Sequence, residues 1–400
     1  MRVAVTESGP LQGRRVAVVG VGALSCAGVG VEALWDALQV SHAPASKRVG
    51  EFSTDHIGGP KELRRLDPFT LFAVVAAQEA WTSSGLVGPL EDAGCVVSTG
   101  IGGLQTILEQ VRVLNEKGPS RVSPFMVPMM MPNAATAAVS MRFGLRGPCE
   151  TVTTACAAGT HAIGNAARLV ASGRSTVAVA GGAEAVLVEI AEAGFRNMTA
   201  LSNSDFSRPF DRHRDGFVMG EGAGVLIFEE LEHAKARGAT ILAEVIGAAS
   251  TADAHHITAP DPDGRGAIRC MEIALADADL GPADISHINA HGTSTPLNDL
   301  AEAIAVRHVF GEHAPPVTSI KGHLGHSLGA AGALEGVVSV LSLQRQIIPP
   351  TAGTTELDPA ISLDVVLDAP RSAHLETVLS NSFGFGGHNG SVVFRRYHGD

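Results

Sequence analysis

Thr151-Val-Thr-Thr-Ala-Cys156-Ala-Ala-Gly159 joins a β-branched run suited to a strand to a run suited to a helix. In the second run, which extends to Gly173, apolar residues recur at helical spacing. Cys156 is therefore predicted at a tight strand-to-helix turn, among the first residues of the helix. The partial positive charge of a helix N-terminus favours the thiolate, which is the nucleophilic form of cysteine. An inert buried cysteine is the alternative, because this residue type is commonly buried.

Strands, glycine-rich turns and helices alternate along the rest of the chain. Strands are predicted at residues 15–20, 176–180, 222–228, 285–290 and 317–320, and helices at 32–40, 72–84, 102–114 and 229–237. The alternation restarts near residue 241, so we place a boundary between an N-terminal half, 1–238, and a C-terminal half, 239–400. This pattern predicts an α/β fold, with mixed or parallel sheets covered by helices.

Composition excludes several functional classes. The chain has 400 residues and 29 Lys+Arg against 41 Asp+Glu, a formal charge of −12, so nonspecific nucleic-acid binding is not expected. The apolar content excludes a disordered chain. No membrane span or signal peptide is predicted, because apolar runs such as residues 175–191 are interrupted by Glu184 and Glu189. Five scattered cysteines argue against a disulfide framework or a cysteine zinc site, and a cytoplasmic location is the expectation.

A second stretch, residues 285–299, is predicted to carry His291 at the carboxyl end of a strand, where α/β proteins place their sites. A helix then begins with Thr295 as its N-cap, and Asp299 and Glu302 are interpreted as charges that complement the helix N-terminus. A neutral imidazole N–H can stabilise a developing enolate at neutral pH. The alternative is a structural histidine, since the chain has 16 of them.

The third stretch, residues 319–335, runs from a strand through a glycine-rich loop into a helix dense in Gly and Ala. Lys321 beside so apolar a helix needs a partner, which Glu335 can supply, although a solvated lysine is the alternative. His323 and His326 are three residues apart, a weak metal pattern without an accompanying H-E-x-x-H sequence, so no metal site is predicted.

Two further glycine-rich stretches have competing interpretations. Gly20-Val-Gly22-Ala-Leu-Ser25 follows a strand like a dinucleotide-binding loop, but Ser25 stands where the third glycine is needed. A nicotinamide-dependent oxidoreductase is therefore the outside alternative. Residues 379–390 alternate glycines with Phe383 and Phe385, which favours a loop that approaches a ligand closely. A structural turn is the alternative for this second stretch.

Together, the three stretches resemble one family, the β-ketoacyl-acyl-carrier-protein synthases or ketosynthases. The likeness is to the elongating Cys-His-His branch of type II fatty-acid and polyketide systems, and it covers nearly the whole chain from Val16 through residues 208–222 to the loop around Phe383. It implies a thiolase-like fold, with two pseudo-duplicated halves in a layered αβαβα arrangement. It also implies a dimer, either with itself or with a related chain-length-factor subunit.

The resemblance implies a role for each matching residue. Cys156 would be the nucleophile that accepts the acyl chain, and His291 and His326 would assist malonyl decarboxylation and stabilise the enolate. Lys321, with its partner Glu335, would order the site.

Other positions would contact the substrate. The resemblance implies Thr293 and Thr295 for the phosphopantetheine arm, Phe383 and Phe385 for gating and the oxyanion hole, and Ile101 and Phe195 for the acyl tunnel. Phe383 is expected to be the gating residue whose backbone N–H joins that of Cys156 in the oxyanion hole.

The implied chemistry is a ping-pong condensation. An acyl chain moves from a carrier protein to Cys156, and malonyl-carrier protein then loses CO₂ and attacks the thioester to give a β-ketoacyl product. No metal or redox cofactor is required, because the substrate arrives on the phosphopantetheine of an acyl-carrier protein.

Carrier proteins of this kind are acidic, so a basic patch is expected despite the net negative charge. Lys61, Arg64, Arg65 and Arg121 match the docking positions of the family, and an ordinary solvated face is the alternative.

Competing classes and departures from the family pattern remain. A non-catalytic chain-length partner should have lost the nucleophile, which Cys156 argues against. Thiolases and starter-type condensing enzymes use Cys-His-Cys or Cys-His-Asn sets, which His326 argues against. His323 and His388 are additional histidines without an assigned role, and they leave the chain length and the pathway open, a polyene polyketide as readily as a fatty acid.

Overall fold

The computed structural model describes residues 11, 13–44 and 46–399, and thirteen strands and thirteen α-helices lie within them. The strands are β1 (Val16–Ser25), β2 (Gly28–Val29), β3 (Gly94–Ser98), β4 (Cys149–Glu150), β5 (Val177–Glu184), β6 (Gly222–Glu230), β7 (Ala243–Ala252), β8 (His287–Asn289), β9 (Val317–Thr318), β10 (Ile347–Ile348), β11 (Arg371–Ser372), β12 (Thr377–Gly384) and β13 (His388–Arg395). The helices are α1 (Val31–Ala37), α2 (Pro60–Leu63), α3 (Pro68–Ser84), α4 (Leu104–Lys117), α5 (Met126–Met130), α6 (Ala134–Phe143), α7 (Ala158–Ala171), α8 (Glu189–Asn197), α9 (Leu231–Ala236), α10 (Arg265–Asp277), α11 (Pro296–Phe310), α12 (Lys321–Leu324) and α13 (Ala331–Arg345).

The main sheet contains the same strand arrangement twice. Its path is β4-β3-β5-β6-β1 followed by β7-β13-β12-β8-β9, with β2 attached to β1. In the first half, β3 pairs in parallel with β4 and β5, and β6 pairs antiparallel with β5 and β1. In the second half, β8 pairs in parallel with β9 and β12, and β13 pairs antiparallel with β12 and β7. The halves join where β1 and β7 pair antiparallel. This repeat confirms the predicted pseudo-duplication.

Helices form three layers around the two halves of the sheet. The first outer layer is α3, which packs against β1, β5 and β6. The central layer is α7 with α13; these helices contact each other and strands of both halves. The second outer layer is α10, which packs against β7 and β13, and α11 packs against α10. The order is therefore αβαβα, and the α/β thiolase-like fold implied by the resemblance is confirmed.

Glycines let the central helices approach closely. A Cβ atom at Gly332 would lie 2.1 Å from Thr160 Oγ1, and one at Gly224 would lie 2.5 Å from the carbonyl carbon of Ala333. Neither position tolerates a side chain without a shift of α13 away from α7 or β6. Gly332 therefore lets α13, and the loop that precedes it, pack against the start of α7.

Two glycine pairs lie inside strands that are longer than predicted, and close packing is the reason for both. The strand predicted at residues 176–180 continues as β5 to Glu184, and a Cβ at Gly182 would lie 2.5 Å from the Gly329 oxygen. Gly20 and Gly22 lie inside β1, where a Cβ at Gly22 would lie 2.0 Å from the Ala76 oxygen of α3. These glycines serve close packing, and residues 20–25 form a strand and not a nucleotide-binding loop.

Two other local predictions differ from the structure. The β-branched run before Cys156 is not a strand, because β4 ends at Glu150. The glycine-rich stretch 379–390 is mostly the β12–β13 hairpin, in which Phe383 pairs with Asn389. Thr295 is the N-cap of α11, as predicted, and its hydroxyl accepts from the Asn298 N–H.

The division of the chain at residues 238 and 239 stays a prediction; α9 ends before this point and β7 begins after it. In the described part of the chain, no helix combines the length and the apolar character that a membrane span requires.

Candidate active site

A cavity of about 390 Å³ is lined by residues from the stretches that contain Cys156, His291, His326 and Phe383. Nine of the predicted site residues line it: Ile101, Cys156, Phe195, His291, Thr293, Thr295, His326, Phe383 and Phe385. They come from both halves of the fold. These nine residues therefore bring a thiol, two imidazoles, two hydroxyls and several apolar side chains to one pocket.

The nucleophile candidate lies on a short turn at the start of α7. Cys156 is the middle residue of a 3₁₀ turn, Ala155–Ala157, and only 6% of it is exposed. Ala155 has a φ of 51°, a left-handed conformation that costs a non-glycine residue energy and recurs at functional sites. A Cβ at Gly384 would lie 3.1 Å from the Cys156 nitrogen, so the end of β12 packs directly on this turn.

Burial dominates the ionisation of this thiol. It raises the pKa of Cys156 to about 11, while a backbone hydrogen bond from Phe385 and the charge of Lys321 lower it by less. The expected thiolate-favouring environment is therefore wrong for the resting site, because desolvation outweighs the favourable charges. The resting nucleophile is a thiol that must pass its proton to a base as it reacts.

The amide next to the sulfur belongs to Phe385. The resemblance implied the amide of Phe383 for the oxyanion hole; the amide that hydrogen-bonds the resting sulfur is that of Phe385. Phe383 lies within β12 and pairs with Asn389, whereas Phe385 follows the end of the strand, where the backbone leaves the ladder. Phe383 instead contacts a catalytic candidate through its ring, whose centroid is 6.0 Å from that of His291.

The two histidines face each other edge to face, with ring centroids 5.4 Å apart. Burial lowers the pKa of both His291 and His326 well below the usual range, and the positive charge of Lys321 acts in the same direction. Both imidazoles are therefore neutral at pH 7. Within the described residues, the Nδ1 atoms of both rings are buried and have no hydrogen-bond partner.

Two buried carboxylates of α11 hold the loop that carries His291. Glu302 accepts hydrogen bonds from the first two amides of residues 291–294 at 2.8 and 2.7 Å, and Asp299 accepts from the other two at 2.9 and 3.1 Å. Burial raises the pKa of Glu302 to about 7. The interpretation of these acids as helix-terminus charges is incomplete, because their main contacts are to the preceding loop. In the sequence, the sign of this role was that the two acids are three residues apart, on one face of the helix.

The predicted ion pair forms, and the charge of its lysine acts on Cys156, His291 and His326. Lys321 and Glu335 are in direct contact and are 1% and 0% exposed. Burial raises the pKa of Glu335, and the charge of Lys321 opposes this rise. Ser382 Oγ lies 3.4 Å from the other oxygen of Glu335, which ties the pair to β12.

Two residues near the cavity had no assigned role. Phe217 lines the cavity and meets His326 edge to face, with centroids 5.2 Å apart. Glu184 is fully buried and accepts hydrogen bonds from the Thr99 hydroxyl and from the amides of Gly100, Ile101 and Gly329. It thereby ties the Ile101 side of the cavity to the loop after His326. A charged residue inside an apolar run was the only signal of Glu184 in the sequence.

The four predicted docking cations lie on the surface and do not line the cavity. Lys61, Arg64, Arg65 and Arg121 are all exposed. The guanidinium of Arg65 stacks on Phe125 at 4.4 Å from the ring centroid, which brings the segment around α2 next to the segment that contains Arg121. The four side chains therefore belong to two adjoining segments. In the described part of the chain, no group of three or more His, Cys, Asp or Glu side chains is placed to hold a metal ion.

This combination of layered fold and Cys-His-His cavity is that of a condensing enzyme, and comparison with known proteins agrees. The chain belongs to the β-ketoacyl synthase family: the family's N-terminal domain model matches residues 46–234 and its C-terminal domain model matches residues 242–355.

Individual relatives match over nearly their full length. The 3-oxoacyl-[acyl-carrier-protein] synthase 2 of Synechocystis sp. is 43% identical, covering 97% of this chain and 99% of the relative. The protein of the same name from Rhizobium meliloti is 43% identical over 96% of this chain and 100% of its own. Among solved structures, the ishigamide ketosynthase/chain length factor has a TM-score of 0.90 at 33% identity, covering 96% of this chain and 100% of that chain. A type II polyketide synthase acyl-carrier protein in complex with its ketosynthase has a TM-score of 0.88 at 32% identity, covering 97% and 100%.

Proposed function

We propose that this protein is a ketosynthase that condenses an enzyme-bound acyl thioester with malonyl-acyl-carrier protein, with loss of CO₂, to give a β-ketoacyl-carrier protein. The observation that carries this proposal is the convergence of Cys156, His291 and His326 on one cavity. The family membership and the full-length match to 3-oxoacyl-[acyl-carrier-protein] synthases support the same reaction.

The first half-reaction loads the enzyme. The Cys156 sulfur attacks the thioester carbonyl of an acyl-carrier protein, and its proton passes to a neutral imidazole of the His291–His326 pair. The carbonyl oxygen becomes negative and takes hydrogen bonds from the amides of Cys156 and Phe385; a donor of this kind contributes on the order of 3 kcal/mol. The pantetheine thiol then leaves with that proton, and the acyl chain remains on sulfur.

The second half-reaction forms the new carbon–carbon bond. The bond between the malonyl carboxylate and Cα breaks, CO₂ leaves, and the electron pair forms an enolate. Both rings are uncharged at neutral pH, and a neutral imidazole keeps one N–H, so His291 and His326 each donate one hydrogen bond to the enolate oxygen. The carbanion attacks the acyl carbonyl, the bond from that carbon to the Cys156 sulfur breaks, and the thiolate that leaves takes up one proton from solvent.

Other cavity residues would guide the substrate. Thr293 and Thr295 lie at the cavity wall with their hydroxyl oxygens 2.9 Å apart, and we assign them to the phosphopantetheine arm. Ile101 and Phe195 are assigned to the acyl chain, Phe195 stacking edge to face on Phe217 at 5.4 Å.

The proposal includes an acyl-carrier protein as partner, a second subunit that is a copy of this chain or a related chain-length factor, a cytoplasmic location, and no metal or redox cofactor. The pathway is a bacterial type II polyketide or fatty-acid pathway, since both kinds of protein are among the relatives.

The direct test is product formation. The purified protein is incubated with acyl-carrier proteins loaded with acyl groups of several lengths and with malonyl-carrier protein, and the carrier is analysed by intact mass. We expect a carrier whose acyl group is two carbons longer and bears a 3-oxo group. Unchanged carriers at every chain length would refute the proposed function, and the preferred length defines the pathway class.

The docking patch gives a separate prediction. R65E reverses one exposed charge of the set Lys61, Arg64, Arg65 and Arg121, so it should weaken carrier binding at low salt several-fold while changing the melting temperature little. R269E is the matched control, because it makes the same charge change on an exposed position of α10. Equal carrier affinity for wild type and R65E would remove this patch from the proposal.

A further inference from the structure

We propose that Lys47 is a positioning residue for His326, which it fixes by holding the carboxyl end of α12. The inference rests on the proposed function, because its consequence is a slower condensation step. No role was expected for Lys47 from the sequence, and it does not line the cavity.

The contacts of Lys47 are to the main chain just before the histidine. Its ammonium donates hydrogen bonds to the carbonyl oxygens of His323 and, at 3.4 Å, of Gly322. The last carbonyls of a helix have no partner within the helix, so a donor side chain satisfies them and fixes the helix end. α12 ends at Leu324, two residues before His326.

His323, the additional histidine of this loop, makes a second contact with the same part of the chain. Its Nε2 lies 2.6 Å from the Val40 carbonyl oxygen and acts as the donor. Burial lowers the pKa of His323 to about 4, so the ring is neutral and keeps this hydrogen bond at physiological pH. Two sets of hydrogen bonds therefore attach α12 to the N-terminal part of the chain. His323 bonds to Val40, and Lys47 bonds to the carbonyl oxygens of Gly322 and His323.

The backbone of His326 is bonded to a second segment, residues 218–221, which in turn is bonded to a residue close to Lys47. The His326 N–H donates to the Val218 oxygen at 2.7 Å, and its own carbonyl accepts from the Gly220 N–H at 2.9 Å. Glu221, the next residue, accepts from the Val49 amide at 3.0 Å. The backbone of His326 is therefore held between two segments, and both segments are bonded to residues 47–49.

Packing leaves little room for adjustment. Gly325 has a φ of 70°, and a Cβ there would lie 3.1 Å from Lys47 Cγ and 2.9 Å from the Val218 oxygen. The aliphatic part of Lys47 thus lies against the residue that precedes His326. Loss of the lysine leaves two carbonyl groups without their donor and opens space beside this glycine.

The positioning role of Lys47 can be tested by changing the pH, because its side chain loses its charge within an accessible range. Burial lowers its pKa to about 8, with the Cys26 thiol opposing the shift. Above that pH the ammonium becomes an amine, which donates more weakly, so the hold on α12 weakens as pH rises. The other charged or titratable groups of this cluster are Cys26, His42, Arg48, Glu221 and His323.

The test compares Lys47→Met and Lys47→Arg in both half-reactions of the full chain. For Lys47→Met we expect condensation to fall about tenfold, since small displacements of catalytic groups cost up to ~10²-fold. Acylation of Cys156 should change less than about threefold, because either imidazole can take one proton whereas the enolate needs both. Lys47→Arg should restore most of the rate and keep it above pH 8, where the wild-type rate declines.

Arg48→Met is the matched control, because it removes a neighbouring cation that bonds to the Leu187 carbonyl and not to α12. Wild-type rates and pH profiles in both Lys47 variants would overturn the inference. So would an equal loss in both half-reactions accompanied only by a lower melting temperature. A wild-type protein that forms no β-ketoacyl product would instead overturn the proposed function.

Discussion

Cys156→Ala is expected to abolish acyl loading and to lower condensation by at least about 10³-fold, because no other described group in the cavity can form the thioester. Intact-mass analysis after incubation with acyl-carrier protein should show one acyl group on the wild type and none on the variant. The substitution removes a single buried sulfur, so the melting temperature should change only modestly.

Cys149→Ala is the matched control for this experiment. Cys149 is an exposed free thiol on β4, and nonspecific acyl transfer would reach it first. We expect this variant to load and condense like the wild type. Equal acyl loading of Cys156→Ala and wild type would contradict the assignment of the nucleophile.

The second large effect is expected for Lys321→Met. This variant leaves the Glu335 carboxylate buried without its cation, which costs about 3–5 kcal/mol. Burial raises the pKa of Glu335 above its unfolded value, and the raise grows when Lys321 is absent. The unpaired carboxylate therefore destabilises the fold above its unfolded pKa, and the loss shrinks as pH falls towards 4–5. Denaturant unfolding of wild type and variant at several pH values measures this difference.

Lys321→Met also removes the positive charge that lowers the pKa of His291 and His326. Both imidazoles should then protonate at a higher pH, so the acid limb of the condensation rate should move upward. The double variant Lys321→Met/Glu335→Gln serves as control: it removes both charges, so it should regain much of the stability while condensation stays impaired. A double variant no more stable than the single one would show that the ion pair is not the source of the loss.

Local patterns predicted the elements that carry the site. The helical spacing after Cys156 and the Thr295 N-cap were correct, because the side chains of neighbouring residues determine them. The pairing of Lys321 with Glu335 was also correct, since a charge beside a helix of small residues needs a close partner.

The errors share a cause in packing. The strands predicted at residues 15–20 and 176–180 were too short, since both continue past Gly22 and Gly182, where another backbone passes too close for a side chain. The Cys156 thiol was expected to ionise readily, but burial raises its pKa to about 11. Close contact and desolvation come from distant parts of the chain, and no local pattern contains them.

The sequence alone determined the kind of fold and the identity of the reactive groups, because periodicity, capping and residue chemistry are local properties. Only the tertiary structure decided which amide, that of Phe385, reaches the sulfur, and that Glu302, Glu184 and Lys47 hold the reactive loops. Hydrogen bonds between distant segments and the loss of water around buried charges depend on the three-dimensional arrangement of both halves. The geometry and the protonation of the site were therefore fixed only when those halves packed together.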